Sequence, residues 1–156
     1  MKKLFTCLLD LLYPNLCVIC NESLVRGEEM ICFHCLHQMP KTNYHLEKDN
    51  AVEKRFWGKV PVYRATSYFH FYKGSPFRQL LHELKYRGNK EIGRVMGRFA
   101  GIDLLDTDDF ASIDVIVPVP LHPKKQLKRG YNQSEWIARG LSEALNKPVD
   151  TTHLIR

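Results

Sequence analysis

Four cysteines near the N-terminus are the residues whose types and spacing point most directly to chemistry. Cys17, Cys20, Cys32 and Cys35 lie in "CVICNESLVRGEEMICFHC" and form a C-x2-C-x11-C-x2-C array. Each C-x-x-C pair can turn tightly enough to aim two thiolates at one point, and two pairs supply the tetrahedral shell that zinc favours. Because a four-thiolate shell leaves no open coordination position, we expect a structural zinc in a small ribbon.

Other uses of these cysteines are weaker alternatives. Two disulfides would suit a secreted chain, which this sequence does not resemble, and a redox C-x-x-C would need a βαβ setting that is lacking here. His34 or His37 could replace a cysteine, although we expect both to lie outside the ligand set. Cys7 lies in an apolar stretch and is expected to be a small buried hydrophobe.

A second candidate site follows from "DVIVPVPLHPKKQLKRGYNQSEWIARG", residues 114–140. Its alternating β-branched residues predict a largely buried strand of a parallel sheet, which should end at Pro118 and Pro120 because proline lacks a ladder donor. A basic loop then leads into a helix beginning near Asn132. The cations of this loop are Lys124, Lys125, Lys128 and Arg129.

A strand, a basic loop and a helix N-terminus together favour anion binding. The first turn of a helix presents free amides and a positive dipole end, and open α/β sheets hold ligands at the carboxyl ends of their strands. The segment therefore predicts an α/β fold with a phosphate or pyrophosphate site at this loop. A solvated basic loop is the alternative.

The elements that must position these residues are mostly helices. Ser75 as cap, an apolar i, i+3, i+4, i+7 stripe and Gly88 as terminator predict one helix in "SPFRQLLHELKYRGN". The next predicted helix carries Gly93, Gly97 and Gly101, which leave one face bare for close packing. "VPVYRATSYFHFY" predicts one or two strands, the polar residues 41–59 a connector, and the leucines of residues 4–12 a short helix.

Bulk properties limit the class of protein and its partners. A chain of 156 residues holds one ordinary domain, or a small module and a medium one, and its net charge of +6 favours a nucleic acid or phosphorylated partner. No apolar run approaches the roughly 20 residues of a membrane span. Asp10 interrupts the apolar N-terminus and no cleavage site follows it, which predicts a cytoplasmic protein.

Four motifs in order carry a family resemblance across nearly the whole chain. They are "YPNLCVIC" after the leucine-rich stretch, "ICFHCL", "LKYRGN", and "VPVPLH" followed by "RGYNQSEWIARGL". With these motifs the chain resembles the ComF family, bacterial proteins of natural competence that join a zinc ribbon to a type I phosphoribosyltransferase-like domain. The resemblance implies a helix and zinc ribbon in residues 1–45 and the N-terminal part of the α/β domain in residues 46–156.

The resemblance also implies where pyrophosphate would be held. It places the loop around residues 129–133 at the pyrophosphate position of this fold, in agreement with the anion site inferred from charge. The predicted phosphate or pyrophosphate site comprises Lys85, Lys128, Arg129, Gly130, Tyr131, Asn132 and Gln133. No catalytic residue is assigned.

The family's phosphoribosyl-pyrophosphate motif comes later than this sequence extends. That motif has two adjacent acids and a Thr- and Gly-rich loop after a strand, whereas Asp108 and Asp109 precede the "VPVPLH" strand and lack such a loop. We therefore expect an incomplete domain with a poorly formed sheet and no phosphoribosyl transfer by residues 1–156 alone. Phosphoribosyl pyrophosphate would be a ligand of a full-length form only.

Three functional hypotheses remain open. The first is a competence or DNA-uptake accessory protein that binds a phosphate-bearing small molecule, single-stranded DNA or a protein of the competence machinery. The second is a phosphoribosyltransferase, a glycosyltransferase, in its full-length form. The third is a nonfunctional remnant.

Overall fold

The computed structural model describes residues 14–154. The predicted N-terminal helix and Cys7 lie outside this part. Within it the helices are α1 (Phe33–His37), α2 (Arg78–Tyr86), α3 (Lys90–Leu104), α4 (Asp108–Ala111), α5 (Pro123–Arg129) and α6 (Gln133–Leu145), with a 3-10 turn at Glu53–Arg55. None of the described helices is long and apolar enough to cross a membrane.

Helix α2 forms where the sequence predicts it. The Ser75 hydroxyl accepts the N–H of Phe77 at 3.3 Å just before the helix, and Gly88 adopts a φ of 72° just after it. Phe77, Leu80 and Leu84 are buried along one face. The predicted stripe and terminator are thus confirmed, whereas Phe77 rather than Ser75 occupies the cap position of α2, without a side-chain hydrogen bond. The exposed end of the helix carries Lys85 and Tyr86.

Helices α3 and α6 pack with their backbones in direct contact. A Cβ atom added at Gly97 would overlap the carbonyl oxygen of Ile137, and one added at Gly101 would lie 2.7 Å from the Cβ of Ala144. Gly140 on α6 makes an equally close contact with α3, because a Cβ there would overlap the carbonyl oxygen of Arg94. The predicted close packing of the glycine face is confirmed, and its partner is α6.

The sheet predicted for an α/β fold is not shown in residues 14–154, where pairing is limited to isolated bridges. Ile116 pairs in parallel with Val149, accepting the N–H of Asp150 at 3.0 Å. Val119 stays 67% exposed, so the predicted burial of this segment is wrong. The physical reason is that residues 148–150 are its one β-bridge partner within residues 14–154 and its two prolines donate no ladder bonds. This agrees with the expectation of a poorly formed sheet.

The aromatic segment 60–72 is likewise extended but forms no continuous strand. It pairs once, through Lys41 and Phe69, and the N–H of Thr42 donates to the carbonyl of Tyr68 at 3.2 Å. The mostly helical architecture of the described residues therefore replaces the expected layers of strands and helices.

The cysteine segment and the helices share one hydrophobic core. Its buried members are Cys17, Ile31, Cys32, Cys35, Met39, Phe77, Leu80, Ile92 and Met96. Glu29 of the cysteine segment also pairs with Arg94 at 3.4 Å and with Arg98 at 3.2 Å on α3. The division at residues 45 and 46 stays a prediction, and the two parts are packed together rather than separated by a free linker.

Residues 41–59 are not the simple connector that their polarity predicts. Asn50 is buried and donates to the carbonyls of Tyr44 at 3.0 Å and Ala65 at 2.8 Å. Buried Glu53 accepts from Arg64 Nε at 2.7 Å. Buried polar groups need such partners, so residues 42–53 contain an internal network, whereas residues 54–59 are exposed.

This network leads to a prediction about pH. The hydrogen bond from Arg64 outweighs burial and lowers the pKa of Glu53 below its ordinary value of 4.5. The stabilisation is therefore present above pH 4.5 and is lost as the pH falls through the lowered folded-state pKa. We expect Glu53→Gln to cost about 1.5–3 kcal/mol at neutral pH and to flatten the acid side of the melting-temperature profile. Exposed Glu22→Gln is the control, and equal profiles for the two variants would contradict the prediction.

Candidate metal centre and basic cleft

The four cysteines of the predicted array meet at one point. Their Sγ atoms all lie within 4.8 Å of one another, and those of Cys20 and Cys32 are 3.6 Å apart without a disulfide bond. A tetrahedral zinc with Zn–S bonds of about 2.3 Å requires sulfur atoms about 3.8 Å apart. The spacing of these sulfurs therefore fits a closed four-thiolate site, and the four residues can bind a metal ion such as zinc.

Local backbone conformation sets this geometry. The N–H of Cys32 donates to the sulfur of Cys17 at 3.4 Å, and the N–H of Cys35 donates to the sulfur of Cys32 at 3.4 Å. Cys32 caps α1, so the second knuckle is the first turn of that helix. Asn21 and Met30, with φ of 60° each, turn the chain between the knuckles.

The thiols differ in how readily they ionise. Burial raises the pKa of Cys17, but backbone N–H groups aimed at its sulfur outweigh burial and lower this pKa to about 7. Burial raises the pKa of both Cys32 and Cys35. Because thiolates are the metal-binding form, a bound cation would supply the stabilisation that these two buried sulfurs need in order to ionise.

The histidines near the second knuckle do not join the cluster. The side chains of His34 and His37 are exposed on α1, whereas Cys17, Cys32 and Cys35 are buried and Cys20 lies at the solvent side. The ligand set within the described residues is therefore sulfur alone.

A basic cleft lies between the end of α2 and helix α5. Its volume is about 380 Å³. The lining residues are Lys85, Tyr86, Gly88, Lys125, Lys128 and Arg129. In residues 14–154 none of these four cations forms an ion pair with a carboxylate. Three predicted anion-site residues, Lys85, Lys128 and Arg129, thus line one cavity although they are up to 44 positions apart.

The expectation of a basic loop is wrong, because residues 123–129 form helix α5. Pro123 occupies its first turn, and the His122 side chain accepts the N–H of Lys124 at 3.2 Å. Gly130 ends α5 in the left-handed region with a φ of 80°. Pro123 and Gly130 are both helix-boundary signals, and helical spacing puts Lys125, Lys128 and Arg129 on the cleft side.

The remaining predicted residues position the cleft rather than line it. The Tyr131 hydroxyl donates to the Leu84 carbonyl on α2. Asn132 caps α6 by accepting the N–H of Ser134 at 3.1 Å and donates to the Val119 carbonyl at 3.0 Å. Buried Gln133 accepts from Arg129 Nη1 at 2.6 Å. Through these bonds residues 131–133, which join α5 to α6, are connected to α2, to the segment at Val119 and to α5.

Three lining residues, Tyr86, Gly88 and Lys125, are missing from the predicted anion site. In the sequence Lys125 is merely one of several neighbouring basic residues, and Tyr86 is part of "LKYRGN". The Arg129 guanidinium lies 5.8 Å from the Tyr86 ring centroid. The cation–aromatic contact and the bond to Gln133 together orient the guanidinium. Neither contact could be predicted from the spacing of residues in the sequence.

Comparison with known proteins gives distant relatives. The chain is 27% identical over 158 aligned positions to the DNA utilization protein YhgH of Escherichia coli strain K12, a match that covers 92% of this chain and 67% of the relative. The protein of the same name from Shigella flexneri is 26% identical with the same coverage. No protein-family model matches the chain, and no solved structure matches it. The chain is thus distantly homologous to DNA utilization proteins over most of its length.

Proposed function

We propose that this protein is a ComF-like accessory factor of DNA uptake or utilisation whose basic cleft binds the phosphate groups of a ligand. The distant similarity to DNA utilization protein YhgH supports the DNA-related role. The ordered motifs that resemble the ComF family support a phosphoribosyltransferase-like origin of the cleft.

The observation that carries the proposal is the convergence of four cations on one cavity without a carboxylate partner in the described residues. Lys85 comes from α2, and Lys125, Lys128 and Arg129 come from α5. Lysine offers point charges to a phosphate, while the oriented Arg129 fork can donate two parallel bonds. A cavity of about 380 Å³ lies within the usual range for small-molecule sites.

Pyrophosphate and a nucleic acid backbone share the phosphate chemistry that this cleft recognises. A compact polyphosphate would engage several cations at once, whereas a single strand would pass through the cleft. The affinity for a single strand depends on the length of that strand, whereas a compact polyphosphate is bound as one unit. Both ligands are therefore measured in one experiment.

Arg129→Ala tests the cleft. We expect pyrophosphate and a short single-stranded oligonucleotide to bind about tenfold more weakly, because the variant cannot form the charge-assisted bidentate hydrogen bonds. For the oligonucleotide, the slope of log affinity against log salt should fall by about 0.7 for each phosphate that the variant no longer neutralises. Calorimetry with pyrophosphate and anisotropy with a labelled oligonucleotide measure the two.

The matched control is Arg139→Ala on α6, which removes the same charge from a residue paired with Glu135 at 2.6 Å. If the two variants bind equally weakly, the loss is caused by the change in net charge, and the proposed site is contradicted. Turnover of phosphoribosyl pyrophosphate by residues 1–156, abolished in Arg129→Ala, would instead assign phosphoribosyl transfer to this segment.

A further inference from the structure

A second surface, separate from the cleft residues, combines exposed aromatic rings with positive charge. We call residues 54–63, "KRFWGKVPVY", the aromatic loop. Trp57 is 58% exposed and Tyr63 is 83% exposed, and Phe56 and Val60 are exposed beside them. Large apolar side chains concentrated on one short surface segment mark a binding site more often than a solvated turn.

The charge of the aromatic loop has one sign. Lys54, Arg55 and Lys59 lie within it and no acidic residue does. None of the three forms an ion pair in the part of the chain that the structure describes. The Lys54 ammonium lies 6.0 Å from the centroid of the Trp57 ring, so charge and aromatic surface are adjacent.

The aromatic loop is held at both ends. Glu53 precedes it and bonds to Arg64, which follows it, with Nε and Oε1 2.7 Å apart. Arg64 also pairs with Asp109, and the Tyr63 hydroxyl donates to the same carboxylate at 2.9 Å. Arg64 thus bridges the carboxylates of Glu53 and Asp109 at the base of the aromatic loop. The base is therefore rigid, while the rings stay accessible.

Within the aromatic loop the chain turns around a shallow hollow. The Phe56 carbonyl accepts the N–H groups of Lys59 at 3.0 Å and Val60 at 3.2 Å, and Gly58 takes a φ of 70°. Residues 57–62 line a hollow of about 470 Å³. Its wall is the indole of Trp57 together with the apolar side chains of Val60, Pro61 and Val62.

We propose that the aromatic loop binds single-stranded nucleic acid, with a base stacked on Trp57 and the phosphates facing its three cations. The inference rests on the proposed DNA-related function and names a surface for it. Stacking platforms flanked by cations are the common means of holding single strands without sequence preference. A partner protein that recognised the apolar rings alone would gain nothing from unpaired cations, whereas a polyanion with flat bases uses both.

The test reads base stacking separately from phosphate attraction. Trp136→Phe leaves Trp57 as the single tryptophan of the sequence. In this background, oligothymidylate should quench the fluorescence of Trp57, and an abasic deoxyribose-phosphate oligomer of equal length should not. Trp57→Ala should weaken binding of labelled oligothymidylate about tenfold and Trp57→Phe much less, because Phe retains a ring for stacking. The abasic oligomer should bind Trp57→Ala and the parent protein alike.

Phe71→Ala is the control, because Phe71 is 56% exposed but lies outside the aromatic loop. Absence of quenching, or equal oligothymidylate affinity in Trp57→Ala and Phe71→Ala, would overturn the proposal. Equal affinity of the parent protein for the two oligomers would also overturn it, since binding would then need phosphates alone. The phosphate site in the cleft is tested independently. If that site is wrong, Arg129→Ala binds pyrophosphate as the parent protein does, while quenching of Trp57 by oligothymidylate is unaffected.

Discussion

Replacing Cys32 with serine is expected to abolish zinc binding by the four cysteines and to unfold the segment around the two knuckles. The purified parent protein should carry about one zinc per chain. In small zinc modules metal binding supplies about 10–16 kcal/mol, comparable with the whole stability of a typical domain. Cys32 also lies in the core shared with Phe77 and Leu80, so the damage should reach helix α2 and lower the melting temperature of the whole described part.

Metal analysis and thermal melting measure this effect. Cys7→Ala should leave the zinc content unchanged, because Cys7 is not part of the C-x2-C-x11-C-x2-C array. Full zinc occupancy in a Cys17→Ser, Cys32→Ser double variant would rule out the four-thiolate site. Loss of zinc without any change in melting temperature would show that metal binding does not stabilise the fold, which would contradict the prediction.

The second large effect is expected from a single methyl group at the contact of α3 and α6. Gly140→Ala places a Cβ on the carbonyl oxygen of Arg94, which belongs to the backbone and cannot turn away. The helices must separate, at a cost of about 3 kcal/mol. In an exposed helix the same substitution would stabilise by about 1 kcal/mol, so the sign of the change identifies the cause.

Gly93→Ala is the graded comparison. Its Cβ would lie 3.0 Å from Leu84 Cδ1, the end of a flexible side chain, and 3.1 Å from Trp136 Cβ, so α6 need move by only a few tenths of an ångström. We therefore expect a change of about 1 kcal/mol or less in the free energy of unfolding, measured by urea titration. A stabilised Gly140→Ala variant would contradict the close packing of α3 and α6.

The candidate sites were predictable to different degrees. Ligand spacing is a local property, so the cysteine array could be predicted as one cluster. The lining of the cleft was predictable in part, because Lys85, Lys128 and Arg129 were predicted to lie together, while the contribution of Lys125 depends on α5 being a helix. Charge composition alone predicts a loop at residues 123–129, although Pro123 and Gly130 are helix-boundary signals that correct this.

The amino-acid sequence was enough to predict the four-sulfur cluster, the apolar stripe and end of α2, and the bare glycine face of α3. These features depend on residues within a few turns of one another or, for the two knuckles, on two local turns with a strong common ligand preference. Other features emerge only from the folded chain: Gly140 meets that glycine face, Glu53 and Arg64 hold the supposed connector, and segment 113–119 stays half exposed. Each of these depends on which distant segment packs against a residue, and that choice follows from burial and hydrogen bonding summed over the whole fold rather than from any spacing along the chain.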